Sequence, residues 1–233
     1  MPVTVRDIAL WKAQGRRLAA LTAYDFPTAR ILDEVGIPLL LVGDSLAEVV
    51  LGYPTTLPVT MEEMLHHTRA VVRGARNAMV VADMPFGAYQ ASAEDGARNA
   101  VRFLKEGGAH AVKIEGPRPE LTAALVDMGI PVMAHLGLTP QSFHALGGYR
   151  VQARTEEGGR RLLGEARELQ KAGAFALVLE AIPAGLAKEV TASLDIPTIG
   201  IGAGPHCDGQ ILVINDLLGM GSGRYSRFVK TYA

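Results

Sequence analysis

At 233 residues the chain is long enough for one large domain with a substantial core, and a hydrophobic fraction of 48% argues against disorder. The formal net charge is −1 with no long block of one sign, which argues against a dedicated nucleic-acid binder. A lone Cys207 excludes an internal disulfide and a multi-cysteine metal site, no run approaches the roughly 18 apolar residues of a membrane span, and no apolar secretory core opens the chain, so a cytoplasmic protein without a membrane partner is the default expectation.

Thr4 and Asp7 read as a capping box, the Asp standing in for the usual Glu, and predict a short leading helix over 1–14. A first strand is expected over 18–23. Asp25 caps the next helix, which carries Ile31, Leu32 and Val35 on one face and stops at Gly36. The second strand is the apolar run Leu39-Leu40-Leu41-Val42, which ends abruptly in Gly43-Asp44-Ser45. An uninterrupted apolar run of this length fits a strand buried on both faces, as in a parallel sheet. A long connection over 46–59 follows, and long loops on the ligand edge of a parallel fold are usually functional. Thr60 and Glu63 form a second capping box and open a helix to about Arg73.

Strand three is expected over 78–83 and strand four over 109–115, separated by a helix over 92–106 that begins at a Ser cap and ends at Gly107-Gly108. A shorter helix over 119–128 leads to strand five, 131–135. A second long loop, 137–153, precedes a helix over 155–172. Strand six is expected over 174–180, a helix over 184–194, strand seven over 197–201 and strand eight over 210–214. The remainder, 215–233, contains a Gly-rich piece at 219–223. Eight strand-like runs alternating with helices predict an α/β fold, a single (β/α)8 TIM barrel with a short N-terminal helix, as one catalytic domain over 1–233. The runner-up is an open doubly wound sheet, against which no Gly-x-Gly-x-x-Gly follows an early strand.

Ligands bind a parallel α/β fold at the C-terminal ends of its strands. Asp44, Asp83 and Glu115 all stand there, on strands two, three and four. Adjacent strands lie about 4.8 Å apart, so the three carboxylates can converge. Unpaired acids in one cleft repel, and a divalent cation resolves the repulsion. Oxygen ligands without Cys favour a hard ion, Mg2+ first. Each acid alone also reads as a turn, cap or solvated strand-end residue. Lys113 shares a strand face with Glu115 and is either half of a structural ion pair or a cation for a substrate carboxylate. A Schiff-base role is weaker, because neighbouring acids keep the amine protonated. His135 closes strand five, as a core or rim residue or as a hydrogen-bond partner of substrate, and a metal-ligand role is not needed beside three acids. Glu180 closes strand six behind an apolar run, as a general base or acid or as a helix-capping acid. The run from Gly200 to Gly204 reads equally as a phosphate cradle or as close backbone packing. Cys207 reads as a small packed residue.

Taken together, Val42-Gly43-Asp44-Ser45, Ala82-Asp83-Met84-Pro85-Phe86-Gly87, Val112-Lys113-Ile114-Glu115-Gly116 and Ala134-His135-Leu136-Gly137-Leu138-Thr139-Pro140-Gln141 resemble the ketopantoate hydroxymethyltransferase family, as do Leu179-Glu180, the Gly200 to Gly204 run and Asp208-Gly209-Gln210-Ile211-Leu212-Val213. The resemblance is collinear over nearly the whole chain. It implies a barrel, a homodecamer, and a Mg2+-dependent aldol-type transfer of a hydroxymethyl group from methylenetetrahydrofolate to 3-methyl-2-oxobutanoate through a stabilised enolate. The product is 2-dehydropantoate, for pantothenate and coenzyme A biosynthesis. The motif positions map Asp44, Asp83 and Glu115 to metal, Ser45, Asp83 and Lys113 to the keto acid, and Glu180 to the catalytic base. With Asp44 and His135 added, these make up the expected substrate-binding set. Family members continue past the final Lys-x-Tyr-Ala with further helical sequence, so the last barrel helix is expected to be incomplete or unrepresented. The stretch 219–226 also departs from the family pattern. Two other readings stand: a carbon–carbon lyase or mutase of the phosphoenolpyruvate type, whose Lys-Cys-Gly-His type loop is missing from this sequence, and a non-catalytic barrel acting as a carrier or assembly subunit, which has little use for an acid triad and a buried base.

Overall fold

The computed structural model describes residues 2–221 and 228–232. Eight parallel strands close into a barrel in sequence order: β1 (Leu18–Thr22), β2 (Leu39–Val42), β3 (Met79–Asp83), β4 (Ala111–Glu115), β5 (Val132–Gly137), β6 (Ala176–Glu180), β7 (Thr198–Ile201) and β8 (Gly209–Leu212), with β8 pairing back onto β1. Helix α1 (Val5–Ala13) precedes the barrel. The crossovers carry α2 (Phe26–Glu34), α3 (Leu46–Val49), α4 (Met61–Gly74), α5 (Ala93–Lys105), α6 (Pro119–Asp127), α7 (Phe143–Leu146), α8 (Glu156–Lys171) and α9 (Ala184–Ser193). The expected TIM barrel with a short leading helix is therefore the observed fold. Its helices begin where the capping chemistry places them: Thr4 with Asp7 and Thr60 with Glu63 form full capping boxes, and Asp25, Ser92 and Thr155 each accept a first-turn backbone N–H.

Strand side chains alternate, and that alternation separates two apolar layers. Leu39, Leu41, Met79, Val81, Ala111, Met133, Ala176 and Val178 pack with one another inside the barrel. Their neighbours Leu40, Val80, Val112, Ala134 and Leu177 pack outward with the helices. Ile8 of α1, 1% exposed, joins the inner cluster. Lys12 of the same helix donates to Asp208 Oδ2 at 2.8 Å, and Asp208 also accepts from the Thr198 backbone N–H at 2.8 Å. Helix α1 is thereby fastened at the barrel end opposite the strand C-termini. Among the described residues no helix is long and apolar enough to cross a membrane.

Three local expectations are corrected. The connection after β2 is not all loop, because residues 46–49 form the single-turn α3, too short for a periodic pattern to show. The loop after β5 likewise contains a 3-10 turn, Pro140–Ser142, and α7. Strand eight spans 209–212 rather than 210–214: the Ile214 backbone N–H turns to Thr22 Oγ1 at 3.0 Å and opens α10 (Ile214–Leu217). Beyond β8, α10 is the only helix among the described residues, and most of the stretch 219–226 lies outside them.

Asp33, 7% exposed, ties α2 to the start of β3. Its carboxylate accepts from the backbone N–H groups of Asn77 and Ala78 at 2.8 and 2.7 Å and from the Asn77 amide at 3.0 Å. Burial alone would raise its pKa, but these donors outweigh burial and hold the carboxyl below its ordinary value of 3.8. A lowered folded pKa means a contribution fully present above the unfolded value and lost as pH falls through the folded one. Asp33→Ala leaves buried donors unpaired and is expected to lower stability by roughly 1–3 kcal/mol at neutral pH. Its difference from the parent should shrink in urea melts taken at progressively acid pH. A difference that stays constant below pH 4 contradicts this account.

Candidate active site

The inward series of each strand continues into charged residues at the C-terminal end. Beyond Met79 and Val81 comes Asp83. Beyond Ala111 come Lys113 and Glu115, beyond Met133 comes His135, and beyond Ala176 and Val178 comes Glu180. The register sets Asp83 beside Lys113, Glu115 beside His135 and Gly137 beside Glu180. These side chains and Asp44 and Ser45 line one cavity of about 480 Å³. Gly137 takes the inward place after His135 without a side chain. At φ 96 its missing Cβ would fall 2.2 Å from the Glu180 carbonyl oxygen, so only glycine fits there. Ala181, immediately after Glu180, is held at φ 46 with backbone hydrogen bonds to Ile201 and Gln152 on its two sides. Such a conformation is strained for a residue with a Cβ and fixes how the chain leaves Glu180.

Asp44 is out of phase with the inward series of β2. The chain turns at Gly43, whose added Cβ would meet Ser45 Oγ at 2.8 Å, and the Asp44 backbone N–H reaches Asp83 Oδ2 at 3.3 Å. Ser45 sits against Tyr24, hydroxyl to hydroxyl, at 2.8 Å. One oxygen from each of Asp44, Asp83 and Glu115 lies within 4.8 Å of the others, and all three residues are buried.

The charges alternate along the strand ends. Lys113 Nζ is 2.6 Å from Asp83 Oδ2 and 3.5 Å from Glu115 Oε1. His135 Nδ1 is 3.3 Å from Glu115 Oε1, and its Nε2 is 3.3 Å from Glu180 Oε2. Neither His contact has hydrogen-bond geometry, so both ring nitrogens, Glu115 Oε1 and Asp83 Oδ1 are buried without a hydrogen-bond partner. Burial works against the ammonium of Lys113, but the carboxylates of Asp83, Glu115 and Asp44 outweigh it and hold the lysine protonated. Burial and Lys113 likewise oppose charge on His135, yet Glu115 and Glu180 on either side hold its pKa up at about 9. Glu115, although buried, is held below the ordinary carboxylate value by Lys113 and His135. Asp44 differs. Burial and the repulsion of Asp83 and Glu115 push it well above the usual value, with only partial relief from Lys113 and Gln141.

Orphaned oxygens on Asp83 and Glu115, beside an acid driven toward protonation, are what a hard divalent cation would satisfy, and an oxygen-only donor set suits Mg2+. The residues present fit such an ion. The seven residues singled out from the sequence are thus brought into one cavity. In the Gly200 to Gly204 run, Gly204 leaves no room for a Cβ beside Ala184, Gly200 lies close against Cys207, and Gly202 lies against Phe228 and lines the cavity. Cys207 is a buried packing residue, as expected. Four residues escaped the sequence reading. Tyr24 backs Ser45. Tyr89 and Gln141 lie behind the triad. Tyr149 roofs the cavity and donates to Glu48 Oε2 at 3.2 Å.

The sequence pattern of the family described as ketopantoate hydroxymethyltransferase matches residues 2–233. The 3-methyl-2-oxobutanoate hydroxymethyltransferase of Heliobacterium modesticaldum is 57% identical over 233 residues, covering 99% of this chain and 84% of its own. That of Saccharopolyspora erythraea is 59% identical over 233 residues, covering 99% and 79%. Among solved structures, phosphonopyruvate hydrolase in complex with oxalate and Mg++ superposes with a TM-score of 0.66 over 91% of this chain and 81% of its own at 16% identity, a likeness of fold alone. The match in sequence runs the length of the barrel and through every strand end that feeds the cavity, and on that ground the chain belongs to the ketopantoate hydroxymethyltransferase family.

Proposed function

We propose that the protein transfers a hydroxymethyl group from methylenetetrahydrofolate to 3-methyl-2-oxobutanoate, with Mg2+ held by Asp44, Asp83 and Glu115, and that it works as a homodecamer in the cytoplasm. Water is consumed, and 2-dehydropantoate and tetrahydrofolate are released. The observation that carries this reading is the convergence of three buried carboxylates with Lys113, His135 and Glu180 in one cavity, together with family membership. When bound, the ion supplies Lewis-acid stabilisation of negative charge developing on the keto oxygen.

The chain's own residues divide the remaining work. Lys113, protonated and fixed by Asp83 and Glu115, provides the positive charge toward which a substrate carboxylate orients. Ser45, its hydroxyl placed by Tyr24, offers a hydrogen bond to the same group. Glu180 removes the proton on the carbon next to the carbonyl and holds it while the new carbon–carbon bond forms to the one-carbon unit. His135 stands between Glu115 and Glu180 and keeps their carboxylates apart. The barrel interior below is filled with apolar side chains.

The test is turnover. Purified protein given the keto acid, methylenetetrahydrofolate and Mg2+ should form the hydroxymethylated keto acid by mass spectrometry, and chelation should abolish the product until Mg2+ is returned. Asp83→Asn is expected to weaken ion and keto-acid binding together, because that side chain meets both the triad and Lys113. Full turnover in chelator, or an Asp83→Asn variant that binds both normally, would overturn the assignment. Sedimentation of the same sample decides the assembly.

A further inference from the structure

We propose that Gln141 is the positioning residue that fixes Asp44 and Glu115 relative to one another, and that it thereby sets how tightly and how selectively the triad takes a divalent cation. The inference rests on reading the triad as a cation site, as above. Gln141 lies in the 3-10 turn after β5 and is 5% exposed. Its side-chain nitrogen donates to Asp44 Oδ2 at 3.0 Å and to the Met84 carbonyl at 2.9 Å. Its side-chain oxygen accepts from Tyr89 Oη at 2.8 Å and from Gln90 Nε2 at 2.8 Å. Its backbone N–H donates to Glu115 Oε2 at 3.1 Å.

The amide has one workable orientation. Turned over, its oxygen would face two acceptors and its nitrogen would face the Gln90 donor. Tyr89 makes the arrangement directional. Its hydroxyl accepts from the Glu115 backbone N–H at 2.9 Å, which leaves its own proton for Gln141. The bonds therefore close a circuit. Glu115 is held at its backbone through Tyr89 and at its carboxylate by the Gln141 backbone N–H, while the far end of the Gln141 side chain holds Asp44. Lys113 and His135 reach Glu115 from the barrel interior, and no other side chain among the described residues donates a hydrogen bond to Asp44. Groups that orient ligating carboxylates change metal affinity by roughly 10–100-fold when removed. Mg2+ needs near-ideal short octahedral geometry, whereas Ca2+ tolerates a looser and larger cage. Loss of a fixed spacing between Asp44 and Glu115 therefore costs Mg2+ more than Ca2+.

Gln141→Met keeps the length of the side chain and removes all of that side chain's hydrogen bonds, and Tyr89→Phe removes one anchor of the amide together with the acceptor of the Glu115 backbone N–H. Apo protein of each, with the parent, is titrated with Mg2+ and with Ca2+ by calorimetry, and folding is checked by circular dichroism. Gln141→Met is expected to lose roughly 10–100-fold in Mg2+ affinity and less in Ca2+ affinity, so the preference between the ions narrows. Tyr89→Phe should move the same way by less. A purely structural role would lower the melting temperature and leave the ion preference unchanged. If the variants fold and bind both ions as the parent does, the inference is overturned while the cation site stands. If Gln141→Met fails to fold, Tyr89→Phe decides by the same criterion. If the parent itself binds neither ion, the cation-site reading falls and this inference with it.

Discussion

Replacing Glu180 by Gln is expected to cut turnover by roughly 10²–10⁴, the usual range for loss of a general base, while leaving divalent-cation and keto-acid binding close to the parent's. The reason is geometric. Glu180 ends β6, outside the triad, and its side chain keeps 17% exposure at the cavity wall. The triad carboxylates are buried against one another and are engaged by Lys113, His135 and Gln141. His135 is the rival base, but both its ring nitrogens point at carboxylates and the residue is 2% exposed. The Gln side chain keeps the size of Glu and removes its basicity. Exchange of deuterium at the tertiary carbon of the keto acid isolates proton removal from folate chemistry. That exchange should collapse in Glu180→Gln. Should it run at the parent rate there and fail in His135→Gln instead, the base is His135.

Lys113→Met is expected to be the most destabilising single change in the cavity, about 3–5 kcal/mol, the usual loss when one partner of a buried ion pair is removed. Lys113 is 4% exposed and its ammonium contacts both Asp83 and Glu115, with Asp44 close enough to add to the field. Met fills the space but leaves three carboxylates facing one another at the end of an apolar barrel. Adding Mg2+ supplies positive charge to the same oxygens. The melting temperature of the variant should therefore rise with Mg2+ by more than that of the parent does. A variant that melts with the parent, in chelator and in Mg2+ alike, would mean that the Lys113 charge does not balance the triad.

How much was legible in the sequence follows from where periodicity reaches. Asp83, Glu115, His135 and Glu180 end apolar runs, and Lys113 shares a strand face with Glu115, so both the barrel and its charged rim could be read. Asp44 was readable by the same signal, the abrupt end of Leu39-Leu40-Leu41-Val42 in Gly-Asp-Ser. The roles of Gln141, Tyr89 and Tyr24 were not, because these residues lie outside the strands and longer helices and act through hydrogen bonds to groups 21 to 97 residues away. No local pattern encodes such partners. The single-turn α3 is shorter than two helical repeats. The end of β8 is hidden in the sequence because an apolar Ile214 continues the strand pattern while its N–H is claimed by Thr22 Oγ1, across the barrel seam.

That seam bears on how the chain is made. β1 pairs with β8, and Thr22 receives the N–H of a residue 192 positions later. During synthesis from the N-terminus, β1 through β7 can each find a neighbour as they emerge, but the outer edge of β1 has none until β8 has left the ribosome. A nascent or truncated chain carrying seven strands is an open curved sheet with two bare edges, the kind of surface that recruits other chains. The Lys12–Asp208 pair faces the same delay, since Asp208 lies in the loop before β8. Ribosome-arrested chains ending before Gly209 should therefore be protease-sensitive and prone to aggregate, and protection should arrive in one step once the last strand is free to close the ring.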